Sequence, residues 1–182
     1  SMGIYACELF KFYDVDTIIR IGSCGAYSSD LNIFDTILVD NSYTEGNFAY
    51  EWNENDCHII NSSEELNSII EKTANSIGIN YIKGNTLCND CFDGYLDNIP
   101  AFINRFPKDL NIIACEMEAF ALFYLAKYFN KKVAIEATPV LRFKGGEKAY
   151  EMKAIQGEKV QGNAEVIPYE AGKTVSYMSR IP

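Results

Sequence analysis

Apolar positions along the chain fall into short blocks separated by polar, often glycine-containing breaks. Residues 4–14 set Ile4, Tyr5, Cys7, Leu9, Phe10, Phe12 and Tyr13 at helical spacing, with no capping residue ahead of them. The run from Val15 to Ile21 predicts a buried strand, and Gly22-Ser23-Cys24-Gly25 predicts a turn at its end. Residues 33–40 predict a second strand, and residues 41–58 a polar loop that carries Tyr43, Phe48, Tyr50 and Trp52. Ser62-x-x-Glu65 has the spacing of a capping box, in which a hydroxyl and a carboxylate satisfy free backbone N–H groups reciprocally. A helix is therefore expected over 63–77, stopped by Gly78. Tyr81 to Leu87 predicts a strand leading into the loop Cys88 to Gly94, and Ile112 to Cys115 another. A helix from Glu116 to about Tyr128 follows at once, and then a strand over Val133 to Thr138.

Short apolar strands thus alternate with helices across residues 4–140, the pattern of an α/β fold with a mixed or parallel central sheet flanked by helices. There is no internal repeat and no low-complexity tract. Beyond residue 141 Lys and Arg outnumber Asp and Glu, and Gly145, Gly146, Gly157, Gly162 and Gly172 punctuate short alternating segments, which predict β-hairpins. We read residues 1–182 as a single domain, with an α/β core over 1–140 and a β-rich tail over 141–182.

Composition narrows this picture. A chain of 182 residues that is 48% apolar can bury one sizeable core. A formal charge of -9 argues against a general nucleic-acid surface and against anionic membranes, so an anionic substrate would need a local positive pocket. No apolar run reaches the roughly 18 residues that cross a bilayer, and no basic stretch with an apolar signal core opens the chain. The expectation is a soluble, cytoplasmic protein. The six cysteines are expected as reduced, mostly buried thiols. Cys88-x-x-Cys91 lacks a second pair at zinc spacing, and His58 is the single histidine, so no metal site and no redox pair is expected.

Two segments carry candidate chemistry. Glu116-Met117-Glu118 brings two carboxylates to the edge of an apolar strand-to-helix junction. Burying an ionised carboxylate costs several kcal/mol unless it is paired or hydrogen-bonded, which points to a polar ligand, a sugar with adjacent hydroxyls being one candidate. Arg20 ends a strand beside Gly22 and Ser23, where a guanidinium, a hydroxyl and backbone N–H groups can converge on one phosphate. Taken alone, Arg20 reads equally well as a strand-end salt bridge.

The run from Met2-Gly3-Ile4-Tyr5 through Glu8 to Tyr27, then Gly84-Asn85, Asp90-Cys91-Phe92 and Cys115-Glu116-Met117-Glu118-Ala119, resembles the bacterial-type purine nucleoside phosphorylases in order and spacing, over about residues 1–134. The resemblance implies phosphorolysis of purine (2′-deoxy)ribonucleosides to free base and (deoxy)ribose 1-phosphate. It implies a homo-oligomer, typically a hexamer, with inorganic phosphate as co-substrate and no cofactor. It assigns phosphate to Arg20, Gly22 and Ser23, ribose to Met117 and Glu118, and the base to Cys24, Gly25, Phe92, Cys115 and Glu116. Without the resemblance, Met117 and Phe92 read more simply as core residues.

The chain departs from that family in two places. The family's proton-donating aspartate falls at about Leu141, and no aspartate follows Asp109; Glu136 is the nearest carboxylate in sequence. The family also carries strands ahead of the position of Ser1. Residues Ala171 to Met178 and Ile181-Pro182 are loosely similar to the strand that leads into that position, so residues 141–182 either replace those strands by circular permutation or form an unrelated fused segment. The alternatives to phosphorolysis are a catalytically impaired nucleoside-binding protein and, within the same superfamily, a uridine phosphorylase or a nucleosidase. The aromatic loop 43–52 is expected to line a subunit interface or to close over the nucleoside.

Overall fold

The computed structural model describes residues 2–142, 150–153, 159–162 and 165–166. The chain opens with α1 (Met2–Phe12), β1 (Thr17–Ala26) and β2 (Ile37–Tyr43), followed by α2 (Phe48–Asn53), β3 (Ile59–Asn61) and α3 (Glu64–Ile77). It continues with β4 (Ile82–Cys88), α4 (Ile99–Asn104), β5 (Ile112–Glu116), α5 (Ala119–Phe129) and β6 (Lys132–Arg142). Three short strands end the described part: β7 (Tyr150–Lys153), β8 (Lys159–Gly162) and β9 (Glu165–Val166).

The strands join in the order β3-β2-β4-β5-β1-β6-β9-β7-β8. β2 and β4, β4 and β5, and β1 and β6 run parallel, whereas β1 and β5 run antiparallel. A further antiparallel pairing of Ile37 with Ala137 and Leu38 with Glu136 joins β2 to β6, so β2, β4, β5, β1 and β6 close on themselves. The core lies between this closed sheet and α5, whose Phe120, Leu122, Phe123 and Leu125 are at most 1% exposed. Burial on several sides explains why α5 is apolar nearly all round rather than along one stripe.

Several expectations change in the folded chain. Gly22 to Gly25 do not turn: β1 continues to Ala26, because β6 pairs along its whole length with only a register shift between Cys24 and Gly25. The second strand begins at Ile37 rather than at residue 33, since Phe34 takes a left-handed φ of 71° and Asn32 N–H donates to Asp35 Oδ2. The expected capping box does not form. Ser63, not Ser62, is the N-cap residue, and its Oγ accepts instead from the Val133 N–H. Ser62 Oγ accepts from Asn67 Nδ2, and the Glu65 carboxylate pairs with Lys132. Gly78 does end α3, with a left-handed φ of 72°.

The expected loop over residues 41–58 holds the end of β2 and all of α2. Two of its aromatic side chains pack into the molecule, Phe48 stacking with Trp52 and meeting Tyr124 edge-on and Trp52 meeting Tyr128 and Phe129, while Tyr50 is exposed. Helix α4 was not legible as a helix, although Asn98 Oδ1 caps the Ala101 N–H and Pro100 sits in the first turn. Only Cys24, Cys88 and Cys115 are buried, while Cys7 and Cys57 are half-buried and Cys91 is exposed. β7 and β8 form a hairpin, and β9 adds to the edge of β6. Residues 167–182, on which the permutation rests, lie outside the described residues.

Candidate functional site

The site grows from the end of β5. Glu116 is the last residue of that strand and is 5% exposed. Its Oε2 accepts from the backbone N–H groups of Glu118 at 2.8 Å and Ala119 at 2.6 Å, so the side chain caps the first turn of α5. Thr86 Oγ1 donates to its Oε1 at 3.4 Å. Burial nonetheless pushes the carboxyl up to about 7, against the lowering effects of the Arg20 charge and the two backbone N–H groups. Helix α5 begins at Ala119 rather than at Glu116, which leaves Met117 and Glu118 in the bend between strand and helix.

Glu118 points to β1. Its Oε2 accepts from Arg20 Nη2 at 2.5 Å, and both side chains are largely buried. Arg20 Nη1 is buried with no partner among the described residues. A Cβ at Gly22 would lie 2.5 Å from Arg20 Cζ, so the guanidinium lies over the bare backbone of the residue two positions along the same face of β1. Arg20 thus makes a salt bridge, and its partner is Glu118.

The remaining expected residues divide into those near this pair and those away from it. Ser23 follows Gly22 opposite Thr138 of β6 and is half-buried; its hydroxyl bonds neither Arg20 nor Glu118. Gly25 pairs with Cys115 across β1 and β5, which brings Cys24 and Cys115 to the same end of the sheet as Glu116. Burial pushes the Cys24 and Cys115 thiols up, so both are neutral at physiological pH. Met117 is 46% exposed, which removes the core reading for it. Phe92 is half-buried and meets Tyr95 edge-on with centroids 5.0 Å apart.

Glu136 is not brought to this site. It pairs with Ile21 and Leu38, and its neighbour Ile135 pairs with Arg20, so strand alternation turns Glu136 to the opposite face of β6. Leu141, where an acid was sought, lies in β6 and pairs with Gly25. A shallow hollow of about 280 Å³, lined by Gly46, Tyr50, Cys57 and His58 among others, includes none of the site residues.

Sequence reasoning missed three polar residues here. Thr86 reaches Glu116 from β4. Asp93, 2% exposed, accepts a hydrogen bond from the Tyr27 hydroxyl. The signal for Asp93 was its place next to Phe92, an acid where a stacking segment needs none.

Known proteins resemble this chain in sequence and in fold. Residues 1–138 match the model of the Phosphorylase superfamily. The chain is 36% identical over 134 residues to the DeoD-type purine nucleoside phosphorylase of Mycoplasma pneumoniae, covering 72% of this chain and 55% of that protein. It is 34% identical over 149 residues to the DeoD-type enzyme of Colwellia psychrerythraea, covering 81% of this chain and 62% of that protein. The chain therefore spans little more than half the length of these curated relatives. Among solved structures it resembles the 5′-methylthioadenosine/S-adenosyl homocysteine nucleosidase of Campylobacter jejuni, with a TM-score of 0.66, 19% identity, and coverage of 81% of this chain and 64% of that one. It also resembles a futalosine hydrolase mutant of Helicobacter pylori, with a TM-score of 0.64, 17% identity, and coverage of 75% and 64%. At those identities the structural likeness is one of fold. A strand-to-helix junction carrying Glu116 and Glu118, an arginine laid over Gly22, and a family match over three quarters of the sequence lead to one conclusion: the chain belongs to the phosphorylase superfamily.

Proposed function

We propose that this chain forms the nucleoside and phosphate site of a purine nucleoside phosphorylase, which converts a purine (2′-deoxy)ribonucleoside and inorganic phosphate into free base and (deoxy)ribose 1-phosphate. The observation that carries this reading is the Arg20–Glu118 pair. A fork with one nitrogen on Glu118 and the other buried without a partner among the described residues can take a phosphate oxygen and keep the carboxylate oriented. Gly22 and Ser23 then complete the phosphate side. The Glu118 carboxylate accepts from the ribose 2′ and 3′ hydroxyls, and Met117 lies against the sugar. Holding phosphate and sugar on adjoining groups sets the nucleophile in line with C1′ as positive charge develops there. Phe92 gives the base an aromatic face, and Cys24, Gly25, Cys115 and Glu116 wall it. Phosphate is the co-substrate, and no cofactor is needed.

The leaving base takes a proton, and the described site offers no free carboxylate for it: Glu116 caps α5, Glu118 serves the ribose and Glu136 faces away. This favours one second reading, a nucleoside-binding chain with slow turnover, since loss of a general acid typically costs about 10²–10⁴ in rate without abolishing binding. The protein acts in the cytoplasm, in purine salvage, as a homo-oligomer, hexameric by family resemblance. The exposed apolar side chains of α1, Ile4, Tyr5 and Phe12, support self-association.

The test is phosphate-dependent release of hypoxanthine from inosine, with Glu118→Ala as control. Turnover that needs phosphate and falls at least a hundredfold in the control supports phosphorolysis. Inosine binding without turnover supports the second reading. Absence of both overturns the proposal.

A further inference from the structure

The segment between β4 and α4 carries Phe92 but has few ties to the body. Its start is held where Asn89 N–H donates to the Glu116 carbonyl at 2.9 Å and Thr44 Oγ1 donates to the Cys88 carbonyl at 2.9 Å. Its end is held by Ile99, 3% exposed. Between them Cys91, Tyr95, Asp97 and Asn98 are exposed, Tyr95 at 81%. Asp93 is the exception, at 2%.

A buried carboxylate needs a donor, and Asp93 has one from a residue 66 positions away. The Tyr27 hydroxyl, just beyond β1, donates to its Oδ2, and Cys115 of β5 lies close to it. Burial pushes the Tyr27 phenol up, so it keeps its proton, and its role as donor, through neutral pH. No cation pairs with Asp93 among the described residues. A neutral donor holds a buried carboxylate where an apolar residue would cost nothing to desolvate, which makes the arrangement one of position rather than of core stability. Tyr27 lies two residues from Gly25, and Cys115 is the residue paired with Gly25, so the anchor stands at the proposed base wall.

We infer that Asp93, held by Tyr27, is a positioning residue that fixes the Phe92 ring over the base side of the site. This rests on the base-site reading proposed above. The anchor's hydrogen bond runs to Tyr27, whereas the Arg20–Glu118 pair is held by its own salt bridge. Loosening it therefore weakens hold on the base and spares hold on phosphate.

The test compares Tyr27→Phe, Asp93→Ala and Asp93→Asn in the full chain by amide hydrogen exchange, inosine affinity and phosphate affinity. Tyr27→Phe keeps the ring and removes the hydroxyl that donates to Asp93, so it carries the test if Asp93→Ala fails to fold. In Tyr27→Phe and Asp93→Ala, exchange at residues 91–96 is expected to quicken at least tenfold. Inosine is expected to bind about tenfold more weakly, with phosphate affinity within twofold of the parent. Asp93→Asn, which keeps an oxygen acceptor, is expected near the parent in all three. Unchanged exchange in both disrupting variants, equal weakening of inosine and phosphate, or Asp93→Asn behaving as Asp93→Ala would each overturn the inference. If the parent chain binds no inosine, the functional reading fails, and the exchange measurement still decides whether Asp93 anchors the segment.

Discussion

At Gly22 an added Cβ would meet the Arg20 guanidinium at 2.5 Å, and the clashing atoms are the free end of a flexible side chain. Gly22→Ala should therefore fold and melt within a few degrees of the parent while pushing Arg20 off Glu118. Charge-assisted hydrogen bonds contribute about 1.5–3 kcal/mol, so phosphate should bind roughly 10- to 100-fold more weakly, as titration calorimetry would read directly. Glu116 carries a pH signature. Its carboxyl stands at about 7 in the folded chain against an ordinary 4.5, so between those values the folded state binds a proton that the unfolded state does not. Stability is then highest below about pH 4.5 for this group, falls as pH rises to about 7, and is level above it, for a loss of about 3 kcal/mol. Glu116→Gln keeps an oxygen for the Glu118 and Ala119 N–H groups and should flatten that part of the profile in denaturant melts at pH 5 and pH 8. The residue types were legible without a structure: an arginine by a glycine and paired acids by an apolar run are local signals. That Glu116 caps a helix while Glu118 meets Arg20 was not, because both acids sit in the same three residues and only the bend after β5 sends them apart.

Elements were read well where apolar periodicity was unbroken, as in α1, α3 and α5, and less well where long-range pairing overrode local signals. Gly22-Ser23-Cys24-Gly25 has turn composition, yet a parallel partner strand supplies its ladder and keeps it extended. The Ser62-x-x-Glu65 spacing is that of a capping box, yet Val133, Asn67 and Lys132 take those side chains. Close approach of β4 to β5 gives a test at this scale. A Cβ on Gly84 would lie 2.1 Å from Ile113 Cδ1, and Ile113 is itself buried in the core. Gly84→Ala should destabilise the chain by about 1–3 kcal/mol through overpacking, seen as a lower urea midpoint with an unchanged slope.

Across the whole molecule, closure of β2 onto β6 and the burial of α5 bring the ends of β1 and β5 together and so assemble the site from segments far apart in sequence. In the proposed reading, the Arg20–Glu118 contact links phosphate and nucleoside. Phosphate on the unpartnered Arg20 nitrogen steadies the carboxylate that would hold ribose, which predicts positive coupling. Saturating phosphate should tighten inosine binding by about fivefold or more, a coupling of roughly 1 kcal/mol, and inosine should tighten phosphate equally. Arg20→Lys should lose most of it, since a single ammonium cannot fork between the two. Calorimetric titration of each ligand in the presence of the other measures both directions.

The sequence by itself determined the α/β class, the order of the principal helices and strands through residue 140, and which residue types could serve phosphate and sugar, because periodicity and side-chain chemistry are written locally. Tertiary structure alone decided the partners. It set Arg20 against Glu118, 98 residues away, tied Tyr27 to Asp93, 66 residues away, and turned Glu136 to the far face of its strand. Such contacts depend on which strands become neighbours and in what register, and register is a property of the whole closed sheet rather than of any one segment.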